Sequence, residues 1–107
     1  MKRLKLQHGY HDALIRAVRY RDDEDVILEV GLCRCCNPSA GAATLSLLGL
    51  RNFAEVREAL EAARQANAVR GYIDEIVAVG RADRRCYQLD LMAAGPVRVD
   101  ARGLHEA

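Results

Sequence analysis

Four consecutive carboxylates, Asp22-Asp23-Glu24-Asp25, stand between two β-rich runs, and no other stretch constrains the fold as strongly. Four like charges repel one another and are costly to bury, so they belong at a solvated turn. The run before them is LIRAVRYR from Leu14, and the run after them is VILEVGLCRC from Val26. With His11-Asp12-Ala13 at its start, the stretch from His11 to Cys35 reads as a β-hairpin. In its second arm Val26, Leu28, Val30 and Leu32 alternate with Ile27, Glu29, Gly31 and Cys33, the period-two pattern of a half-buried strand. Such a strand can pair on both sides, and the rest of the chain reads as its cover. The first arm, about residues 13–21, alternates poorly. Leu14, Val18 and Tyr20 share one face with Arg16, while Ile15, Ala17, Arg19 and Arg21 share the other. Residues 12–20 also admit a helical face of Leu14, Ala17 and Val18, but the turn and the strong partner that follows favour a strand.

Upstream, Leu4 and Leu6 alternate with Lys5 and Gln7, which suits a short edge strand or arm broken at Gly9. Downstream, Asn37-Pro38-Ser39-Ala40-Gly41 is a loop, and ATLSLLGL resumes strand character with Ala43, Leu45 and Leu47 on one face. Gly49 marks a bulge or the end of pairing. Asn52 followed by Glu55 is an Asn version of the capping box. Behind it Phe53, Val56, Leu60 and Ala63 recur at helical spacing, with Ala59 in the same stripe. This helix is expected to end near Asn67, with Gly71 as the last plausible stop. YIDEIVAVG, RCYQLDLM and VRVDAR then read as three strands, the first two joined by a turn at Arg81-Ala82-Asp83-Arg84 and the last two by Ala94-Gly95-Pro96. Tyr87, Leu89 and Leu91 alternate with Cys86, Gln88, Asp90 and Met92; Val97, Val99 and Ala101 alternate with Arg98, Asp100 and Arg102. The expected fold is α+β: a single curved antiparallel sheet of five to seven strands, order β-β-β-α-β-β-β, with one helix packed on one face. Residues 1–107 form a single domain with its core at about 10–102, a short N-terminal arm and a frayed tail from Gly103.

A formal net charge of +1 argues against a dedicated nucleic-acid binder, which carries a basic excess on one face. The aromatics, Phe53, Tyr10, Tyr20, Tyr72 and Tyr87, are not spaced as a stacking platform for single strands. No apolar run approaches the ~18 residues that span a bilayer. MKRLKLQHGYHD lacks the apolar stretch and cleavage site of a signal peptide, so a cytoplasmic location with reduced thiols is expected.

Three constellations could carry chemistry. Cys33, Cys35 and Cys36 form C-x-C-C, and two thiolates on one strand face could share a zinc ion completed by Cys86 or by His8 and His11. Structural zinc sites favour C-x₂-C knuckles, however, and cysteine also packs as a small hydrophobe, so unligated thiols are the stronger reading and no cofactor is expected. His11 beside Asp12 could act as a general base, but neighbours on an extended chain point apart. The plainer expectation is that Asp12 caps a turn and His11 is partly buried. The acidic turn lacks the spacing of a calcium loop, which leaves a solubilising hairpin tip or a dock for a basic partner.

The order of short motifs resembles a known group. H-D-A at 11–13 opens a strand, V-I-L-E-V at 26–30 is the next, and T-L-S-L-L-G-L at 44–50 ends in a glycine turn. I-D-E-I at 73–76, Y-Q-L-D-L at 87–91 and G-P-V-R-V-D-A at 95–101 follow. Over residues 10–102 the chain resembles small bacterial proteins with an H-D-A-type opening, many of them classed as immunity proteins of polymorphic toxin systems. The resemblance implies a non-enzymatic protein that neutralises a cognate toxin domain, and it carries no catalytic residue over. Occlusion would use a sheet edge, the acidic turn Asp22, Asp23, Glu24 and Asp25, and loop 36–42, with His11 and Asn37 among the partner-binding residues. Two other readings remain open: a small zinc or thiol module on Cys33, Cys35, Cys36 and Cys86, and a homo-oligomeric subunit with its bare sheet face as the interface.

Overall fold

A computed structural model describes the backbone of residues 2–3, 6–65, 72–79, 86–91 and 95–107, and the side chains of 6–65, 86–91 and 95–107. The element order is β1 (Lys2–Arg3), β2 (Ala13–Arg21), β3 (Asp25–Gly31), β4 (Ala42–Leu48), α1 (Phe53–Gln65), β5 (Tyr72–Val79), β6 (Cys86–Leu91), β7 (Gly95–Asp100) and β8 (Gly103–Glu106). The class is α+β, with one helix among the described residues and every strand pair antiparallel.

The expectation of one sheet of five to seven strands is corrected in two respects. Hydrogen bonding runs along β7-β6-β5-β2-β3-β4-β8, with β1 paired to β5 off this path, so eight strands take part. The six longer ones form two three-stranded sheets, β2-β3-β4 and β5-β6-β7. Among the described residues these meet at a narrow seam, where Ala13 lies opposite Ile73 and Leu14 opposite Tyr72. The tail from Gly103 is not frayed. It pairs with β4 from Leu45 opposite Glu106 to Leu48 opposite Gly103, and Thr44 and Ala107 exchange two further backbone bonds of 3.0 and 2.9 Å. The order is therefore β-β-β-β-α-β-β-β-β.

β7 and β8 stand at opposite ends of the path, yet Ala101 and Arg102 alone separate them in sequence. The three Cα–Cα steps from Asp100 to Gly103 span at most about 11 Å, so the sheet must curl until its ends approach. Backbone bonds close the gap: Arg102 N–H donates to the Leu48 carbonyl and Arg51 N–H to the Asp100 carbonyl, both at 2.8 Å. Helix α1 packs against both β3 and β7, one strand from each sheet.

Val26, Leu28 and Val30 of β3 face inward with Ala43, Leu45 and Leu47 of β4, as their alternation predicts. Leu89, Leu91, Val97 and Val99 meet them from β6 and β7, and α1 adds Phe53, Val56, Leu60 and Ala63. Burying a side chain such as Val56 or Leu60 contributes roughly 1.5–3 kcal/mol. The poor alternation of β2 has a local cause. The register slips between Ile15 and Ala17, so Arg16 is an extra, bulged residue. Ala13 and Ile15 point inward before the bulge, and Val18 and Tyr20 pack on the core after it. Arg16 lies across Gly31, where a Cβ would fall 2.6 Å from the Arg16 Nε. Asn52 is not a simple side-chain cap. Its Oδ1 accepts the Asp100 N–H at 3.0 Å and its amide donates to Glu55 and to the Arg98 carbonyl, so it ties α1 to β7. The expected helix end near Asn67, the stop at Gly71 and the turn at Arg81–Arg84 lie outside the described residues. Among those described, no helix is long and apolar enough to cross a membrane.

Candidate functional site

The β2–β3 hairpin has two ends, and the residues singled out in the sequence divide between them. At the tip, Asp22 and Asp23 have φ of 54° and 51°, the pair of positive values that a type I′ hairpin turn uses. Aspartate tolerates this region better than most residues, which suits two of them to the turn. The Glu24 N–H closes the turn on the Arg21 carbonyl at 3.1 Å, and the Glu24 carbonyl accepts the Leu50 N–H at 2.7 Å. Asp22, Asp23 and Glu24 are exposed and make no ion pair with any described residue.

Asp25 differs from its three neighbours. Its side chain is only 15% exposed. One oxygen accepts the Gly49 N–H at 2.9 Å, and the other accepts Arg21 Nε and Nη2 at 3.0 and 2.8 Å. The Gly49 N–H foremost, then the Arg21 guanidinium, hold its carboxyl below the ordinary aspartate value. Asp25 therefore binds the hairpin to the β4–α1 corner, and the solvated acidic tip has three carboxylates where the sequence suggested four.

Beside the tip runs an open groove of about 790 Å³ along the outer face of α1, lined by Asp23, Leu50, Phe53, Arg57, Glu58 and Glu61 among others. The Arg57 guanidinium sits 5.2 Å from the centre of the Tyr20 ring, and the Tyr20 hydroxyl donates to Glu61 at 3.1 Å. Burial, then the Glu61 carboxylate, push the Tyr20 phenol up to about 12, so it remains a neutral donor. Arg51, also on the groove, is ion-paired with Asp100. Glu58 has no such partner among the described residues, so the tip and groove together carry a negative excess.

His11, Asn37 and the cysteines occupy the other end. The nine residues of β2 put them roughly 25 Å from the tip at about 3.3 Å per residue. Asn37 is 7% exposed. Its Oδ1 accepts the Gly9 N–H at 3.0 Å, and its amide donates to the carbonyls of Gly9 and Cys33 at 2.8 and 3.2 Å. It is a loop latch with no polar atom to spare for a partner. The His11 side chain, expected to be partly buried, is 63% exposed, with Nε2 3.5 Å from an Asp12 oxygen. Asp12 does sit in a turn: its φ is 58°, and the Ala13 N–H reaches the Tyr10 carbonyl at 3.2 Å. Cys86 lies in β6, opposite Asp100 of β7, and is not brought to Cys33, Cys35 and Cys36. Among the described residues no three His, Cys, Asp or Glu side chains converge as a metal-holding group.

Sequence reasoning missed Glu106. Its carboxylate accepts the N–H groups of Gln7 and His8 at 2.6 and 3.1 Å and the Tyr10 hydroxyl at 2.8 Å, binding the N-terminal segment to β8. A lone carboxylate in a short tail gave no signal for this. Comparison with family models, curated proteins and solved structures finds no match for this chain.

Proposed function

We propose that this chain is a non-enzymatic binding protein that docks a basic protein surface on its acidic hairpin tip and the adjoining α1 groove. The reading includes the class that the sequence resembles, an immunity protein that occludes the nucleic-acid-handling surface of a toxin domain. One observation carries it: Asp22, Asp23 and Glu24 stand exposed with no ion pair to any described residue, and Asp23 lines an open groove whose exposed apolar surface comes from Ala54 and Ala62. An exposed like-charge cluster costs some stability and would not be needed merely to close a turn. Beside a groove it can steer a cationic partner while the apolar floor supplies contact area. His11 and Asn37, at the far end of the hairpin, leave the contact set, and Asp25 acts within it only by holding the tip in place.

The test is a pull-down from the native host with mass spectrometry, followed by co-expression with the toxin domain it is expected to recover. Restored growth and a co-purifying complex are expected, with protection weakened by Asp22→Asn, Asp23→Asn and Glu24→Gln together. A chain that neither binds nor protects, or that protects equally well with the tip neutralised, would contradict the reading.

A further inference from the structure

We propose that the turn at Cys33–Cys36 is an oxidation site, at which a hydroperoxide converts Cys33 and Cys35 into an intramolecular disulfide. The site lies at the opposite end of the hairpin from the docking tip, and the inference does not depend on that reading.

The turn is built to hold these thiols together. β3 ends at Gly31, and the Leu32 N–H bonds to the Gly41 carbonyl at 3.0 Å. The Cys33 carbonyl then accepts the N–H of Cys36 at 3.3 Å, the N–H of Asn37 at 3.0 Å and the Asn37 side-chain amide at 3.2 Å. Three donors on one carbonyl fix the reversal of the chain, and Asn37 anchors it to Gly9. Within the turn the Cys35 backbone N–H and thiol act foremost, with the Cys36 N–H, to hold the Cys33 thiol below the ordinary cysteine value. They favour the Cys33 thiolate against the opposing influence of burial and the smaller one of the Asp12 carboxylate. The same contact holds the proton on Cys35. Cys33 is half-buried and Cys35 exposed, so a small oxidant reaches both.

Geometry selects the pair. Adjacent Cα atoms lie about 3.8 Å apart across a trans peptide, short of the roughly 4.4 Å at which disulfides begin, which disfavours Cys35–Cys36. The Cys36 side chain lies toward Gly9, where a Cβ would fall 3.2 Å from the Cys36 Cβ.

In the first step the Cys33 thiolate attacks the hydroperoxide. An S–O bond forms, the O–O bond breaks, and the departing alkoxide or hydroxide takes a proton from water, leaving a sulfenic acid. In the second step the Cys35 sulfur attacks that sulfur, the S–O bond breaks, and hydroxide leaves with the Cys35 proton as water. The sum is two thiols and one hydroperoxide giving a disulfide, an alcohol or water, and one further water.

The test exposes the reduced full chain to hydrogen peroxide, counts thiols by alkylation and maps the bridge by peptide mass spectrometry. A Cys33–Cys35 bridge is expected. Cys33→Ser should slow thiol loss at least about tenfold, and Cys35→Ser should stop at a sulfenic acid that a cyclic 1,3-dione traps. Cys36→Ser and Cys86→Ser should leave the rate of bridge formation unchanged. Wild-type chain unfolded in urea should lose the rate advantage of Cys33, which keeps the test valid if a variant folds poorly. A bridge between other cysteines, or an equal Cys33 rate in folded and unfolded chain, would overturn the proposal.

Discussion

Replacing Asp25 with Asn separates the structural carboxylate of the acidic run from the three exposed ones. The Gly49 N–H bonds a charged acceptor, worth about 1.5–3 kcal/mol, and an amide oxygen in its place would retain about 0.5–1.5. The Arg21 pair adds only about 0.2–1 kcal/mol, because that guanidinium is 57% exposed. Asn would also turn an NH₂ group toward Arg21. The expected loss is about 1–2.5 kcal/mol at pH 7, read by urea denaturation with the slope unchanged. The pH dependence follows from the depressed carboxyl. A group held lower in the folded state contributes fully above its unfolded value, about 3.9, and loses that contribution as pH falls through the folded value. The gap between wild type and Asp25→Asn should therefore narrow as pH drops below about 4. Asp22→Asn, on the exposed tip, should shift stability by less than about 0.5 kcal/mol. A gap for Asp25→Asn as small as that for Asp22→Asn, or one that stays constant down to pH 3, would refute the latch.

Two further perturbations test the packing. Leu28→Ala and Leu89→Ala, both in the core, should each cost about 2–5 kcal/mol by chemical denaturation, while half-buried Cys86→Ser should cost under about 1; the reverse order would mean a wrong strand register. Gly49→Ala should cost about 1–3 kcal/mol, because φ is +61° and the new Cβ would meet Arg102 at its Nε, Cγ and Cβ. Gly31→Ala should cost less than about 1 kcal/mol, because only the end of the exposed Arg16 side chain must swing aside; equal melting temperatures for the two variants would contradict this.

Strands β3, β4, β6 and β7 and the stripe of α1 were legible because each buries one face, which writes a period into the sequence. β2 was blurred by the bulge at Arg16, which moves the buried set from odd to even positions halfway along the strand. β8 was missed because GLHE has one apolar side chain, Leu104, and its pairing depends on an edge of β4 that no local pattern announces. The division into two sheets is likewise a matter of long-range register. At the candidate site the turn was visible as charge, but the different role of Asp25 depends on Gly49, 24 positions away. Asn37 reads as a loop residue by composition, and its burial arises from Gly9 on a separate segment. The groove has no sequence signature, because its walls come from α1 and the hairpin.

The most direct test of the central claim is the association rate with the partner recovered by pull-down from the native host, at two ionic strengths. Wild type is compared with the variant carrying Asp22→Asn, Asp23→Asn and Glu24→Gln, and Asp25 is left intact so that the tip keeps its position. Charges at a contact rim act mainly on association. The account predicts slower association for the variant, a shallower fall of its rate with salt, and nearly unchanged dissociation. Equal rates and equal salt slopes for the two proteins would contradict it and leave the acidic tip as a solubilising turn.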